Sequence, residues 1–97
     1  MVTMTPYVVE SRNNTLGFGS SVQFDTLLKE VVITNVNNTQ LSFTFMVNSM
    51  GFITSDSIPP YSTKTYRFTT FMPVGTSYQI FGDNGNFNVY ITGLRVE

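Results

Sequence analysis

The sequence has no cysteine, histidine, tryptophan or alanine, and only 11% of its 97 residues are charged, against about 25% in an ordinary soluble domain. Each absence removes a class of chemistry. Without cysteine there is no disulfide framework, thiolate metal site, CxxC redox pair or cysteine nucleophile. Without histidine there is no imidazole general base, no His-containing triad and no His-ligated metal. Lys and Arg number 5 and Asp and Glu 6, for a formal net charge of −1, so no basic stripe is available to neutralise nucleic-acid phosphates. No apolar run approaches the ~18 residues of a membrane-spanning helix. The Met1-Val2-Thr3-Met4-Thr5-Pro6 start has neither a basic segment nor an apolar one, so no export signal is read there. The opening Met reads as the start of a short complete gene product.

What is present favours strands. Val (11), Ile (5), Thr (14), Tyr (5) and Phe (9) supply 44 of the 97 residues, whereas Leu (5), Lys (2), Arg (3) and Glu (3) are few. The first group fits a pleated, half-buried surface, and the scarcity of the second leaves little to build a long helix. Hydroxyl and amide side chains (14 Thr, 9 Ser, 9 Asn) take over the solvating role that charges usually have. The chain therefore reads as a single all-β domain over residues 1–97, with a loose N-terminus over 1–5.

Periodicity places the elements. From Gln40 to Asn48, Leu41, Phe43, Phe45 and Val47 alternate with Ser42, Thr44, Met46 and Asn48, which predicts a strand with one buried face. Lys29 to Val36 predicts a strand before it, joined as a hairpin through Asn37-Asn38. Ser77–Phe81 and Phe87–Thr92 predict a second hairpin about Gly82-Asp83-Asn84-Gly85-Asn86, with Phe87, Val89 and Ile91 inward and Asn88, Tyr90 and Thr92 outward. Gly93 reads as a bulge or bend. Ser57-Ile58-Pro59-Pro60-Tyr61-Ser62 reads as an extended crossing segment or an edge, because proline donates no ladder hydrogen bond. Thr63–Phe71 predicts another strand, ended by Met72-Pro73-Val74-Gly75. Tyr7–Glu10 and Ser21–Phe24 are shorter candidates, Asn13–Gly19 reads as a loop, and Asp25–Lys29 as one helical turn. Seven or eight short strands at roughly 8–12 residue spacing point to a two-sheet antiparallel β-sandwich, Ig-like or jelly-roll. A small closed barrel is the alternative.

Candidate chemistry is sparse. The six carboxylates, Glu10, Asp25, Glu30, Asp56, Asp83 and Glu97, fall in no paired motif, so a glycosidase cleft is not read here. Serines and threonines have only Lys29 and Lys64 as bases, and no G-x-S-x-G occurs. Asp83-Asn84-Gly85-Asn86 offers oxygen ligands without calcium-loop spacing, and a turn accounts for it. The sequence thus predicts no enzyme, cofactor or metal. The sequons at Asn13 and Asn37 read as Asn-rich turns. Sugar recognition is a second reading. It needs an exposed ring against a pyranose face with amides and carboxylates beside it, for which Tyr90, Asn88, Asp83, Asn84, Asn86 and Tyr61 are the candidates. A third is docking into an assembly through Phe18, Phe52 and Phe81, whose segments fix no face; the plainer reading buries all three in the core.

Glu30-Val31-Val32-Ile33-Thr34-Asn35-Val36-Asn37-Asn38-Thr39, Ile58-Pro59-Pro60-Tyr61-Ser62 and Gly82-Asp83-Asn84-Gly85-Asn86 give the chain its look. In these phrases it resembles small β-sandwich accessory proteins of bacteriophage tails and receptor-binding assemblies. The resemblance implies a non-catalytic virion component acting by surface contact, with other tail proteins or a host-surface glycan as partner. It also implies residence in the virion, or in the infected bacterial cytoplasm before assembly, without membrane insertion. The alternative function is a carbohydrate-binding module or host-glycan adhesin.

Overall fold

The computed structural model describes residues 2–83 and 85–97, and among them it holds eight strands and no helix. The strands are β1 (Met4–Thr15), β2 (Gly17–Ser21), β3 (Thr26–Asn35), β4 (Leu41–Val47), β5 (Met50–Ile58), β6 (Thr63–Met72), β7 (Ser77–Gly82) and β8 (Phe87–Val96). A first sheet has the order β1-β8-β3-β6 and a second the order β2-β7-β4-β5, with every pairing antiparallel. All connections cross between sheets except β4–β5, so the chain is wound as a jelly roll, one of the two connectivities expected.

The alternating stretches are strands because period two puts one set of side chains into the space between the sheets. Phe43, Phe45, Phe87, Leu28, Ile33, Leu41, Ile58, Ile80 and Ile91 fill that space. Both expected hairpins are corrected. β3 and β4 lie in different sheets, as do β7 and β8, so Asn37-Asn38 and the 82–86 segment are crossings. Asn84 lies outside the described residues. A turn-forming dipeptide reverses the chain, but pairing across it requires both flanking strands to bury their apolar faces from the same sheet. The true tight turn is Asn48-Ser49, where both residues have left-handed φ (51° and 65°) as a two-residue hairpin loop requires.

Other differences follow from bulges, which spoil alternation. The register between β1 and β8 shifts between Val8 and Glu10 and again between Arg12 and Thr15, where Asn14 is left-handed. Asn13–Gly19 is therefore not a loop: its first part ends β1 and its last part starts β2. β1 begins at Met4, inside the segment expected to be loose, and the Thr3 and Glu97 main chains exchange two hydrogen bonds. Asp25–Lys29 holds no helical turn; β3 starts at Thr26, and the register shift lies between Leu28 and Glu30 and not at Gly93. Ser21–Phe24 is the end of β2 and a connection. β5 was not anticipated, because a register shift near left-handed Ser55 breaks its pattern.

Candidate functional site

β8 is an inner strand of the first sheet, so each outward side chain on it stands between residues of β1 and β3. Tyr90 pairs with Ser11 and Val32, Thr92 with Val8 and Glu30, and Leu94 with Pro6 and Leu27. The alternation that drives Phe87, Val89 and Ile91 inward leaves Tyr90 on this face, 44% exposed. The ring borders a shallow groove of about 410 Å³ lined by Pro6, Val8, Lys29, Tyr90, Thr92 and Leu94, among others. Lys29 reaches it because the β3 register shift places an extra residue there. Among the described residues Lys29 makes no ion pair, whereas Arg12, Lys64, Arg67 and Arg95 each sit 2.8–3.4 Å from a carboxylate. The groove thus combines one ring face, aliphatic walls, two hydroxyls (Tyr90 and Thr92) and one ammonium.

Of the six residues singled out for sugar contact, Asn84 lies outside the described residues and the other five separate into two places. Tyr90 and Asn88 share the outer face of β8, where Asn88 Oδ1 accepts from Asn14 N at 3.0 Å. Tyr61, Asp83 and Asn86 gather at one end of the sandwich. There Asn37 Nδ2 donates to Asn86 O at 2.7 Å, Tyr61 N donates to Asn37 O at 3.3 Å, and Ser42 N donates to Asp83 Oδ1 at 2.9 Å. Gly85 has φ +74°, and a Cβ there would fall 2.6 Å from Asn37 Oδ1, so only glycine lets the crossing lie against Asn37.

The three aromatic docking candidates also part company. Phe18 is in the core at 8% exposure, edge-on to Tyr78 and capped by the Arg12 guanidinium 4.3 Å from its centroid. It is corrected to a structural residue. Phe52 is half-covered by Phe45 and Phe68. Phe81 stands on the outer face of the second sheet, 48% exposed. Pro6, Val8, Lys29 and Leu94 carried no local signal, because they meet Tyr90 only through pairings between distant parts of the chain.

Each carboxylate is held by a donor, and none lines the groove. Glu10 accepts from the Tyr78 hydroxyl at 3.2 Å, Asp25 from Val74 N and Asp83 from Ser42 N, while Glu30 pairs with Arg67 and Glu97 with Arg95. Asp56 accepts from the Tyr66 hydroxyl, which holds its carboxyl below the usual range with help from Ser57 N and Lys64. Among the described residues no three acidic side chains come together as a metal site would need. Among the described residues no helix is long and apolar enough to cross a membrane.

The two bonded tyrosines give a pH prediction. Burial, then the bond to Asp56, raises the Tyr66 hydroxyl well above its ordinary value, and burial pushes Tyr78 up to about 12. Their raised values mean that the unfolded chain loses these protons first. The stabilisation is whole below pH ~10 and is lost as pH rises towards 12, by up to about 2 kcal/mol for Tyr78. Urea midpoints at pH 9 and pH 11 should differ accordingly, and Tyr78→Phe should reduce the difference. An unchanged difference in that variant would refute the assignment.

No protein-family model matches the chain and no curated protein matches its sequence. Its fold does have counterparts among solved structures. The catalytic unit of a GH87 α-1,3-glucanase from Streptomyces thermodiastaticus strain HF3-3 superposes with a TM-score of 0.54 at 8% identity. The match takes in 98% of this chain but only 24% of that one, so this chain spans about a quarter of the enzyme unit. A CBM36-1 domain of a xylanase from the hindgut metagenome of Trinervitermes trinervoides gives 0.49 at 12% identity, covering 100% and 95% of the two chains. A family 35 carbohydrate-binding module from Clostridium thermocellum gives 0.47 at 7%, covering 99% and 97%. The glucanase match establishes that this all-β two-sheet architecture recurs in a carbohydrate-active protein; at such identity the likeness is one of fold.

Proposed function

We propose that the chain is a non-catalytic carbohydrate-binding domain whose ligand lies along the outer face of the first sheet, stacked on Tyr90. The carrying observation is the half-exposed Tyr90 ring on an inner strand, beside a groove that also offers Thr92 and Lys29. The backbone under the ring is held by strands on both sides, so no main-chain ordering is needed when a sugar stacks on it. The Tyr90 hydroxyl, Thr92 hydroxyl and Lys29 ammonium supply donors for ring and glycosidic oxygens. The open shape fits a chain lying across the strands better than a small enclosed molecule.

This reading takes precedence over the virion-component role expected from the sequence. Of the three aromatics considered for docking into an assembly, Phe18 is buried. Tyr90 and Phe81 lie on opposite faces and do not form one contiguous apolar patch. The glucanase that shares the fold acts on an α-1,3-glucan, which fixes the first probe. In an NMR titration with α-1,3-gluco-, xylo- and cello-hexaoses, one series should shift the Val8, Tyr90 and Thr92 amides. Tyr90→Ala should weaken that binding about tenfold, the scale of one lost ring contact, while Tyr90→Phe retains most of it. A panel that leaves these amides unmoved overturns the proposal.

A further inference from the structure

The opposite side of the molecule carries a second exposed ring that the Tyr90 site does not use. Phe81 points outward from β7, paired with Gly17 of β2 on one side and Thr44 of β4 on the other. A groove of about 250 Å³ beside it is lined by Ser42, Thr44, Ser55, Phe81 and Asp83, among others. Gly17 has φ +142°, and a Cβ there would lie 2.8 Å from Ile80 O and 3.6 Å from the Phe81 ring. The residue next to the ring is therefore held to glycine, which leaves that flank of the ring open.

We infer that this face is a second carbohydrate subsite centred on Phe81, so that the domain binds two glycan segments, one on each side. The inference rests on the sugar reading of the Tyr90 groove. Its own support is the polar frame around the ring. Thr44 Oγ1 accepts from Ser55 N at 3.3 Å and so keeps its proton for an outside acceptor. Asp83 Oδ1 accepts from Ser42 N at 2.9 Å, which fixes the carboxylate and aims it; Oδ2 has no other partner among the described residues. One donor and one strong acceptor beside a single ring match a sugar, which presents hydroxyls on its rim and C–H groups on its face. They match a protein partner poorly, since a stable interface needs about 800 Å² per side with a largely apolar centre. The two sheets lie about 10 Å apart and their outer faces point oppositely, so one ligand segment cannot fill both sites.

The test is the same hexaose titration followed on both faces, with light scattering alongside. Expected are two separate sets of shifting amides, Gly17, Thr44 and Gly82 on one face and Val8, Tyr90 and Thr92 on the other. Phe81→Ala, at an exposed position that leaves the core intact, should weaken the first set about tenfold and leave the second unchanged; the same spectra report that the variant is folded. Shifts confined to the Tyr90 set overturn the second subsite and leave the proposed function standing. Shifts confined to the Phe81 set overturn the Tyr90 site and with it the two-sided binding inferred here. An unmoved spectrum on both faces overturns both. A doubled mass, with Phe81-face shifts that track protein concentration, makes that face a self-association surface and overturns the inference.

Discussion

Asn35→Asp is expected to destabilise the protein by about 3 kcal/mol or more at neutral pH, although it exchanges a single NH₂ group for oxygen. Asn35 is fully buried at the end of β3, where the chain leaves the first sheet. Its Nδ2 lies 2.8, 3.1 and 3.2 Å from the carbonyl oxygens of Thr39, Ile58 and Pro59. Its Oδ1 accepts from Asn37 N at 2.9 Å and Asn37 Nδ2 at 3.1 Å. One amide thus ties the β3–β4 crossing to the β5–β6 crossing, and through Asn37 to the main chain at Asn86. A carboxylate cannot donate, so three carbonyls would face a buried anion. The introduced carboxyl would be driven to stay protonated in the folded state. Its folded pKa then lies above the unfolded value of ~3.9, so the variant is relatively most stable below that value and loses ground as pH rises. Urea midpoints at pH 4 and pH 7 check the sign: the gap to wild type should widen at pH 7. A variant matching wild type at pH 7 would show that this corner contributes nothing.

That same corner shows why the strands were legible and their partners were not. Leu41–Val47, Tyr66–Phe68 and Phe87–Ile91 declare themselves because burying one face forces period two, a property of each strand alone. Asn37-Asn38 was read as a hairpin because the dipeptide records a reversal and nothing about which sheet receives the next strand. The buried amide that converts the reversal into a crossing bonds to Ile58 and Pro59, more than twenty residues away. Bulges hid the rest. Left-handed Asn14 and Ser55 break the alternation of β1 and β5, and the bulge between Val8 and Glu10 leaves Val8 exposed and Val9 packed against the core. The site divides the same way. Tyr90 and Asn88 could be assigned outward from the pattern of β8 alone. The groove beside Tyr90 could not, since Pro6, Val8, Lys29 and Leu94 converge only when β1 and β3 pair on either side of β8.

Phe45→Ala should have the largest effect on stability, about 4 kcal/mol within the range for emptying a buried aromatic site. Phe45 is on inner strand β4 and is essentially unexposed. Its ring centroid lies 6.3 Å from Phe52 on β5 and 6.2 Å from Phe68 on β6, and those two are 5.9 Å apart. The triangle joins both sheets where β5 and β6, one edge strand from each, come side by side. Among the described residues no β-ladder links the sheets there, so ring packing closes the sandwich along that side together with the Tyr66–Asp56 hydrogen bond and the Lys64–Asp56 ion pair. Truncating Phe45 empties a site inside the core, and the strands on either side are anchored in separate ladders and cannot collapse far into the gap. Truncating Phe52, which is partly exposed already, removes less buried surface and leaves Phe45 in the core against Phe68. Phe45→Ala should therefore lower the urea midpoint at least twice as far as Phe52→Ala. Equal losses would mean that the edge ring, and not the inner one, holds the two sheets together. For a domain whose total stability is about 5–15 kcal/mol, the larger loss would bring the protein close to unfolding at 37 °C, while the outer faces carrying Tyr90 and Phe81 are untouched by the substitution itself. Any sugar binding lost in this variant should then follow the unfolded fraction, and binding measured per folded molecule should equal that of wild type.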